Sequence, residues 1–534
     1  MAFVSTKIPY SQTGFFSKIV TDYLNDETKL QPFYKHQVTV EGLKASIEAR
    51  KAFASPRAKL ADALENQYRN IITTDQVKLN IDALRKETTF TITTAHQPNI
   101  FTGPLYFLYK ILHVIKLAEN CKTKFPEYDF VPVYYMGSED ADLDELGHIF
   151  INGNKLNWNT TQTGAVGRML VDKPLWELLN TIAGEVGVLE HGQEIISIVK
   201  KHYTLGTTIQ EATMKLVNAL FGKYGLIVVI PDNPTLKTLA EEIFSEELTN
   251  GHSSKIIEET GNNLTAAGYK AQAHSREINF FFMKENLRER IEKNGDIWSV
   301  VNTGITFSKN ELLQELNSHP ERFSPNVITR GLFQELILPN VAFIGGGGEL
   351  AYWFQLKDLF AYYKVPYPLL ILRNSFLLIN KLQRAILFKL DFDCNEPFKP
   401  LQELQNNWIR QNSHHNLSID NALQQASELY NGLSQQTKPI DTTLLQHIEA
   451  LKTNSKKLIE KLGKKMLRAE KRNHDDAMQQ IRKIKDQLFP NNNLQERIDN
   501  FIPHYAIHGS TLIDELYNHS LTLEQEFVVL EHLF

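Results

Sequence analysis

The sequence predicts an α/β protein, a parallel sheet with helical crossovers that carries a helical arm towards its C-terminal end. Three observations lead there. Residues 89–145 read as strand, loop, helix and strand, with polar residues gathered at the carboxyl ends of both strands. Buried apolar runs at 226–232, 341–344 and 367–373 alternate with helical periodicity, the pattern of parallel strands joined by right-handed crossovers. After Arg373 strand signals stop, and apolar residues from Leu444 to Leu488 recur at three- and four-residue steps.

Taken in order, residues 1–88 read as largely helical and polar, with Phe15, Phe16, Ile19, Tyr23 and Leu24 on an early apolar face. Thr89-Phe90-Thr91-Ile92-Thr93-Thr94 is β-branched and aromatic, which suits a buried strand. It ends in the polar corner Ala95-His96-Gln97-Pro98-Asn99. Pro104 then opens a helix, where its missing N–H costs nothing, and Leu105, Leu108, Ile111, Leu112 and Ile115 keep to one face. Phe130-Val131-Pro132-Val133-Tyr134-Tyr135-Met136 is the second strand and runs into Gly137-Ser138-Glu139-Asp140-Ala141-Asp142-Leu143-Asp144-Glu145. In open α/β sheets ligands bind at such strand ends. Residues 151–168 are turn-rich, 174–222 helical, and a helix of about 235–248 follows the third strand. Residues 251–325 look like an insertion with short strands of their own, such as 278–282. Val341-Ala342-Phe343-Ile344 leads into Gly345-Gly346-Gly347-Gly348 and a helix from Leu350 to Tyr363. The core is therefore expected over 1–375, with insertions at about 151–222 and 251–330. A helical domain is expected over 376–534, with a coiled-coil arm at about 440–490 and polar interruptions at Ser455 and at Arg472-Asn473-His474. The lysines and arginines near residues 456–472 read as the solvated face of a long helix.

At 534 residues the chain calls for two or three domains. A net charge of -5 gives no reason to expect nucleic acid as a partner. Two cysteines, Cys121 and Cys394, are too few for a disulfide framework or a Cys-built zinc site and read as buried thiols. Residues 1–7 lack the apolar run of a signal peptide, and no stretch is long and apolar enough to span a membrane, so the expected location is cytoplasmic.

One combination of residues carries a resemblance. Thr102-Gly103-Pro104-Leu105-Tyr106 comes first, then Gly137-Ser138-Glu139-Asp140 with Asp142 and Glu145. Thr329-Arg330-Gly331-Leu332-Phe333-Gln334-Glu335 follows, and then Gly348-Glu349-Leu350-Ala351-Tyr352-Trp353 and Gln495-Glu496-Arg497. In this order they resemble the bacillithiol-biosynthesis cysteine ligase family, BshC, over nearly the whole chain. The resemblance implies a Rossmann-like core of nucleotidyltransferase type with two connecting insertions and a C-terminal coiled coil used for dimerisation. It also implies a ligase that joins L-cysteine to the amine of glucosaminyl-malate. Departures from the family pattern are Ala95 for Gly, His96 where many members have Gln, and Gly331 where Pro is common.

Within this frame the polar residues take roles. Forming an amide from a free carboxylate needs activation, and ATP or another nucleotide is expected to supply it, with magnesium possible. His96, Gln97 and Asn99, between a strand and a helix start, are candidate donors to the charge that develops on phosphorus. The bland alternative makes them turn formers that cap the helix. The synthetase His-x-Gly-His signature is matched only at its first position. Asp140 is the candidate base or metal ligand, and Glu139 and Asp142 with Gly103 are candidate substrate contacts, against the alternative of an acidic helix start. Gly345, Gly346, Gly347 and Gly348 stand where a phosphate-cradling turn would, yet match neither Gly-x-Gly-x-x-Gly nor a P-loop. A purely structural turn is the other reading. Glu349 and Tyr352 follow as pocket residues, Trp353 as packing, and Arg373 as an anchor for a carboxylate such as malate. Arg497 is a candidate nucleotide contact in the late polar cluster Gln495, Glu496, Arg497 and Asn500. A nucleotidyltransferase for another small acceptor and a nucleotide-sensing coiled-coil scaffold remain as alternatives.

Overall fold

The computed structural model describes residues 3–533. Its centre is a five-stranded parallel sheet. The strands are β1 (Thr89–His96), β2 (Asp129–Met136), β3 (Ile227–Val229), β4 (Asn340–Gly345) and β5 (Leu369–Leu372), in the order β5-β4-β1-β2-β3. The chain thus moves outward from β1 to β3, returns to the other side of β1, and moves outward again. This order, with its reversal between β1 and β4, makes the sheet Rossmann-like. Every residue of β1 is buried, as its unbroken β-branched and aromatic run requires for a central strand. Helices α1 (Val40–Lys51) and α2 (Tyr106–Lys124) share one apolar core with the sheet, where Leu43, Ile47, Val114 and Leu117 meet Phe90, Ile92, Ile344 and Ile371.

Two long crossovers leave the sheet. Between β2 and β3 lie a hairpin (His148–Ile151 with Asn154–Asn157) and three longer helices; Asn152 and Gly153, both left-handed, make its turn. Between β3 and β4 lies a separate five-stranded antiparallel sheet spanning residues 280–325, followed by helix α3 (Val327–Ile337). The helix expected from Leu350 to Tyr363 is two, α4 (Gly347–Trp353) and Lys357–Tyr362. Buried Gln355 breaks it by accepting from the N–H groups of Gln272 and Ala273, both at 2.8 Å. The region expected to lack strands holds two, Phe376–Ile379 and Glu526–His532, in a three-stranded sheet with Phe3–Pro9.

The described chain divides into two compact units, one of residues 7–377 and 493–529, the other of 3–6, 378–492 and 530–533. The second is built on α5 (Leu401–Asn412), α6 (Asp420–Thr437), α7 (Leu444–Asn473) and α8 (Asp475–Leu488). Tyr430 meets Ser455, Asn431 meets Lys452 and Ile419 meets Gly463, so α6 and α7 run antiparallel. Ser455 is no interruption; its hydroxyl pairs with Tyr430 at 2.7 Å. The helix breaks at His474, and α8 packs its Met478, Ile481, Ile484 and Leu488 into its own unit. None of the described helices is long and apolar enough to cross a membrane.

Candidate active site

A cavity of about 400 Å³ opens where the strand order reverses. Neighbouring parallel strands end at the same level, so corners far apart in sequence meet there. β1 supplies His96 and then Gln97; β2 leads to Glu139 and Asp140. β4 leads to Gly346, Gly347, Gly348, Glu349 and Tyr352, and β5 to Arg373. Arg497 joins them from the C-terminal segment. Four residues expected in the site do not line the cavity. Asn99 is buried beneath the corner, its amide 3.4 Å from the Glu145 carbonyl, and Gly103 packs directly on it. Asp142 caps the short helix Leu143–Leu146 by accepting from the Glu145 N–H at 3.0 Å. Gly345 ends β4, its carbonyl accepting from the Arg373 N–H at 2.8 Å. None of the four glycines is left-handed, so this turn does not depend on their conformational freedom. Trp353 stacks on Phe343 at 4.5 Å inside the core.

His96 is buried, with its ring 5.3 Å from that of Tyr106 and 5.4 Å from that of Phe107. Burial, followed by the charges of Lys110, Arg373 and Arg330, holds its pKa well below the ordinary histidine value. It is therefore neutral, and its Nε2 has no partner among the described residues. A buried polar nitrogen left unmatched costs about 1–3 kcal/mol, which a ligand atom would recover.

Lys110 on α2 escaped the sequence reading, although a lysine flanked by apolar and aromatic residues on a helix buried on nearly every side implies a partner. Its Nζ donates to the Ala95 carbonyl at 2.7 Å and lies 2.5 Å from Glu349 Oε2. Glu349 in turn accepts from the Gly346 N–H at 2.7 Å. Burial lowers the pKa of Lys110, with Glu349 opposing. One ion pair thus ties the end of β1 to the start of α4.

The arginines differ in what they already hold. Arg373 pairs with buried Glu496 at 2.7 Å, bonds the Asn374 carbonyl at 2.9 Å and Ser375 Oγ at 3.1 Å, and lies over the Tyr106 ring. Much of its fork is thus engaged within the protein. Burial disfavours its charge, but Glu496, with Tyr10 and Tyr106, opposes it and the pKa ends above the ordinary value. Arg288, Arg330 and Arg497 line the same cavity, and among the described residues none of them makes an ion pair with a carboxylate. Arg330 donates to the Tyr352 hydroxyl at 3.0 Å. Arg288 had no local signal, since it reaches the site only through the folding of the inserted sheet.

Of the acids, Glu139 is buried against Lys237, which also donates to the Phe323 carbonyl at 2.8 Å, so the charge of Glu139 is met within the protein. Burial raises its pKa, Lys237 opposing. Asp140 makes no ion pair among the described residues and accepts from Gln97 Nε2 at 3.3 Å. Burial, then Asp140 and Asp142, raise the pKa of Glu145 at the rim. No cluster of three or more His, Cys, Asp or Glu residues suited to a metal occurs among the described residues. Cys121 is buried, its thiol pushed up to about 12 by burial, which fits packing and not nucleophilic work.

The strand order defines a Rossmann-like α/β protein with a polar cavity at the switch point. Comparison with known families makes this specific. Residues 3–374 match the family described as bacillithiol biosynthesis BshC, N-terminal Rossmann-like domain, and residues 376–532 the BshC C-terminal coiled-coil domain. The chain belongs to the BshC family. A relative from Flavobacterium psychrophilum is 38% identical over 528 residues, covering 98% of this chain and 99% of its own. One from Flavobacterium johnsoniae is 37% identical, with 98% and 99% covered, and one from Cytophaga hutchinsonii 36%, with 97% and 97% covered. Each carries the name "Putative cysteine ligase BshC".

Proposed function

We propose that the protein joins L-cysteine to the amine of glucosaminyl-malate through an amide bond, acting in the cytoplasm as a homodimer. The observation that supports this best is the set of Arg288, Arg330 and Arg497, facing one cavity without carboxylates of their own beside a neutral His96. Such a set suits a ligand with several negative charges, whether nucleotide phosphates or malate carboxylates, because guanidinium forks bond both in pairs. A nucleotide such as ATP would turn the cysteine carboxylate oxygen into a leaving group. Arg330 and Arg288 would hold the transferring phosphate, and neutral His96 would donate to it without adding a charge. Asp140, oriented by Gln97, would take the proton that the amine loses as the C–N bond forms and the activated C–O bond breaks. If magnesium accompanies the nucleotide, Asp140 is the residue that would hold it, in place of serving as the base.

The test is metabolic and chemical. Deleting the gene should abolish bacillithiol and let glucosaminyl-malate accumulate. The purified protein should form the amide, read by mass spectrometry, only with cysteine and a nucleotide. Normal bacillithiol in a clean deletion strain would overturn the reading and favour transfer to another acceptor.

A further inference from the structure

We propose that Asn500 is a positioning residue for this reaction, bracing the turn between β1 and α2 from the far end of the chain; the proposal rests on the ligase reading. Phe101, Thr102 and Gly103 are all left-handed, with φ of 51°, 69° and 67°. Gly103 is required there, since a Cβ would stand 2.7 Å from that of Asn99. Phe101 and β-branched Thr102 are in a conformation such residues rarely adopt, and it persists only where neighbours over-determine it.

Asn500 is the main such neighbour. Fully buried, it donates from Nδ2 to the Phe101 carbonyl at 3.0 Å and to the Gly103 carbonyl at 2.6 Å. Beside it the Leu105 N–H donates to the Asp499 carbonyl at 2.8 Å, and the Phe101 N–H to the Tyr203 hydroxyl at 3.1 Å. The braced turn is the covalent link between His96–Gln97 and α2, the helix that carries Tyr106 and Lys110 to the cavity. Within the corner the Thr102 N–H donates to the Asn99 carbonyl at 3.1 Å and the Gly103 N–H to the Ile100 carbonyl at 3.0 Å, while Asn99 Oδ1 and Thr102 Oγ1 are buried without partners among the described residues, so no side chain of the turn itself holds it. The same C-terminal segment holds Arg373 through Glu496 and brings Arg497 to the cavity, bracing the site from both sides.

Asn500 also caps helix α9 (Phe501–His508), its Oδ1 accepting from the Ile502 N–H at 2.9 Å. Asn500→Ser separates the two roles, because a serine hydroxyl still caps but cannot reach both carbonyls. Tyr203→Phe, which keeps the ring and loses the hydroxyl, loosens the same turn by a second route. In both variants amide exchange across residues 100–105 should rise about tenfold or more, with residues 501–508 unchanged. In the same variants kcat for the cysteine-dependent amide should fall by about 10- to 100-fold, with KM within about threefold, because a small misplacement of reacting groups is costly. Wild-type exchange across 100–105 in folded Asn500→Ser overturns the proposal, as does faster exchange with an unchanged kcat. A wild-type enzyme that forms no amide overturns the ligase reading alone.

Discussion

The surroundings of His96 make its exchange for glutamine a small one. Burial disfavours its charged form, and the positive charges of Lys110, Arg373 and Arg330 add to that effect, so the ring stays neutral. A neutral imidazole and a carboxamide offer the same kind of uncharged hydrogen bond. His96→Gln should therefore keep the rate within about tenfold, whereas His96→Ala should lose about 10²–10³ in kcat with little change in ground-state affinity. The two also differ in stability against pH. The folded pKa is lowered, so below the ordinary value of about 6.5 the unfolded chain binds the extra proton and the fold does not. Stability therefore falls as pH falls, by about 1.4 kcal/mol per unit for this one group. His96→Gln should remove that part of the slope when urea melts at pH 7.5 and 5.5 are compared. An unchanged slope would mean that the ring is protonated in the fold.

Among elements, the seat of α3 depends on one buried pair. Arg50 on α1 lies 2.7 Å from Glu335 Oε2, and neither side chain is exposed. Its Nε donates to the Asn340 carbonyl and its Nη1 to the Glu335 carbonyl, both at 2.8 Å. Asn340 Nδ2 donates to Glu335 Oε1 at 2.8 Å. This network fixes the passage from α3, which carries Arg330, into β4. Arg50→Met should destabilise by about 3–5 kcal/mol in urea titration, because it strands a buried carboxylate. Adding Glu335→Leu should recover much of that loss. A single variant within about 1 kcal/mol of wild type would show that the pair is not what seats α3.

At the scale of the whole molecule, the arm leaves an apolar stripe open. Leu458 and Leu462 on α7 are 67% and 56% exposed, and Leu429 on α6 is 61% exposed. A row of leucines at helical spacing in water calls for a partner surface, and a second copy is the partner we propose. Light scattering should report a dimer for the intact chain, and Leu458→Lys with Leu462→Lys a monomer of unchanged helicity by circular dichroism. A monomeric wild type would refute this. The residues of 475–488, read with the same stripe, belong elsewhere, because α8 turns away at His474 and buries them in its own unit.

What the sequence determined by itself was local and periodic. β-branched runs made the central strands legible, the proline and apolar face announced α2, and the motifs at residues 102–106, 137–145, 329–335, 348–353 and 495–497 pointed to one family. Tertiary structure alone decided which of those residues share a cavity. His96, Asp140 and Glu349 meet because parallel strands end together at the reversal between β1 and β4, a relation no single stretch encodes. Asn99 and Asp142 had the right chemistry and proximity, but local hydrogen bonds turned one beneath the corner and the other into a cap. Lys110, Arg288 and Arg330 entered the site by crossing from other elements, and Glu496 and Asn500 by returning after the arm. Charge and hydrogen-bond partners that lie hundreds of residues apart are set by packing, and packing is a property of the whole fold.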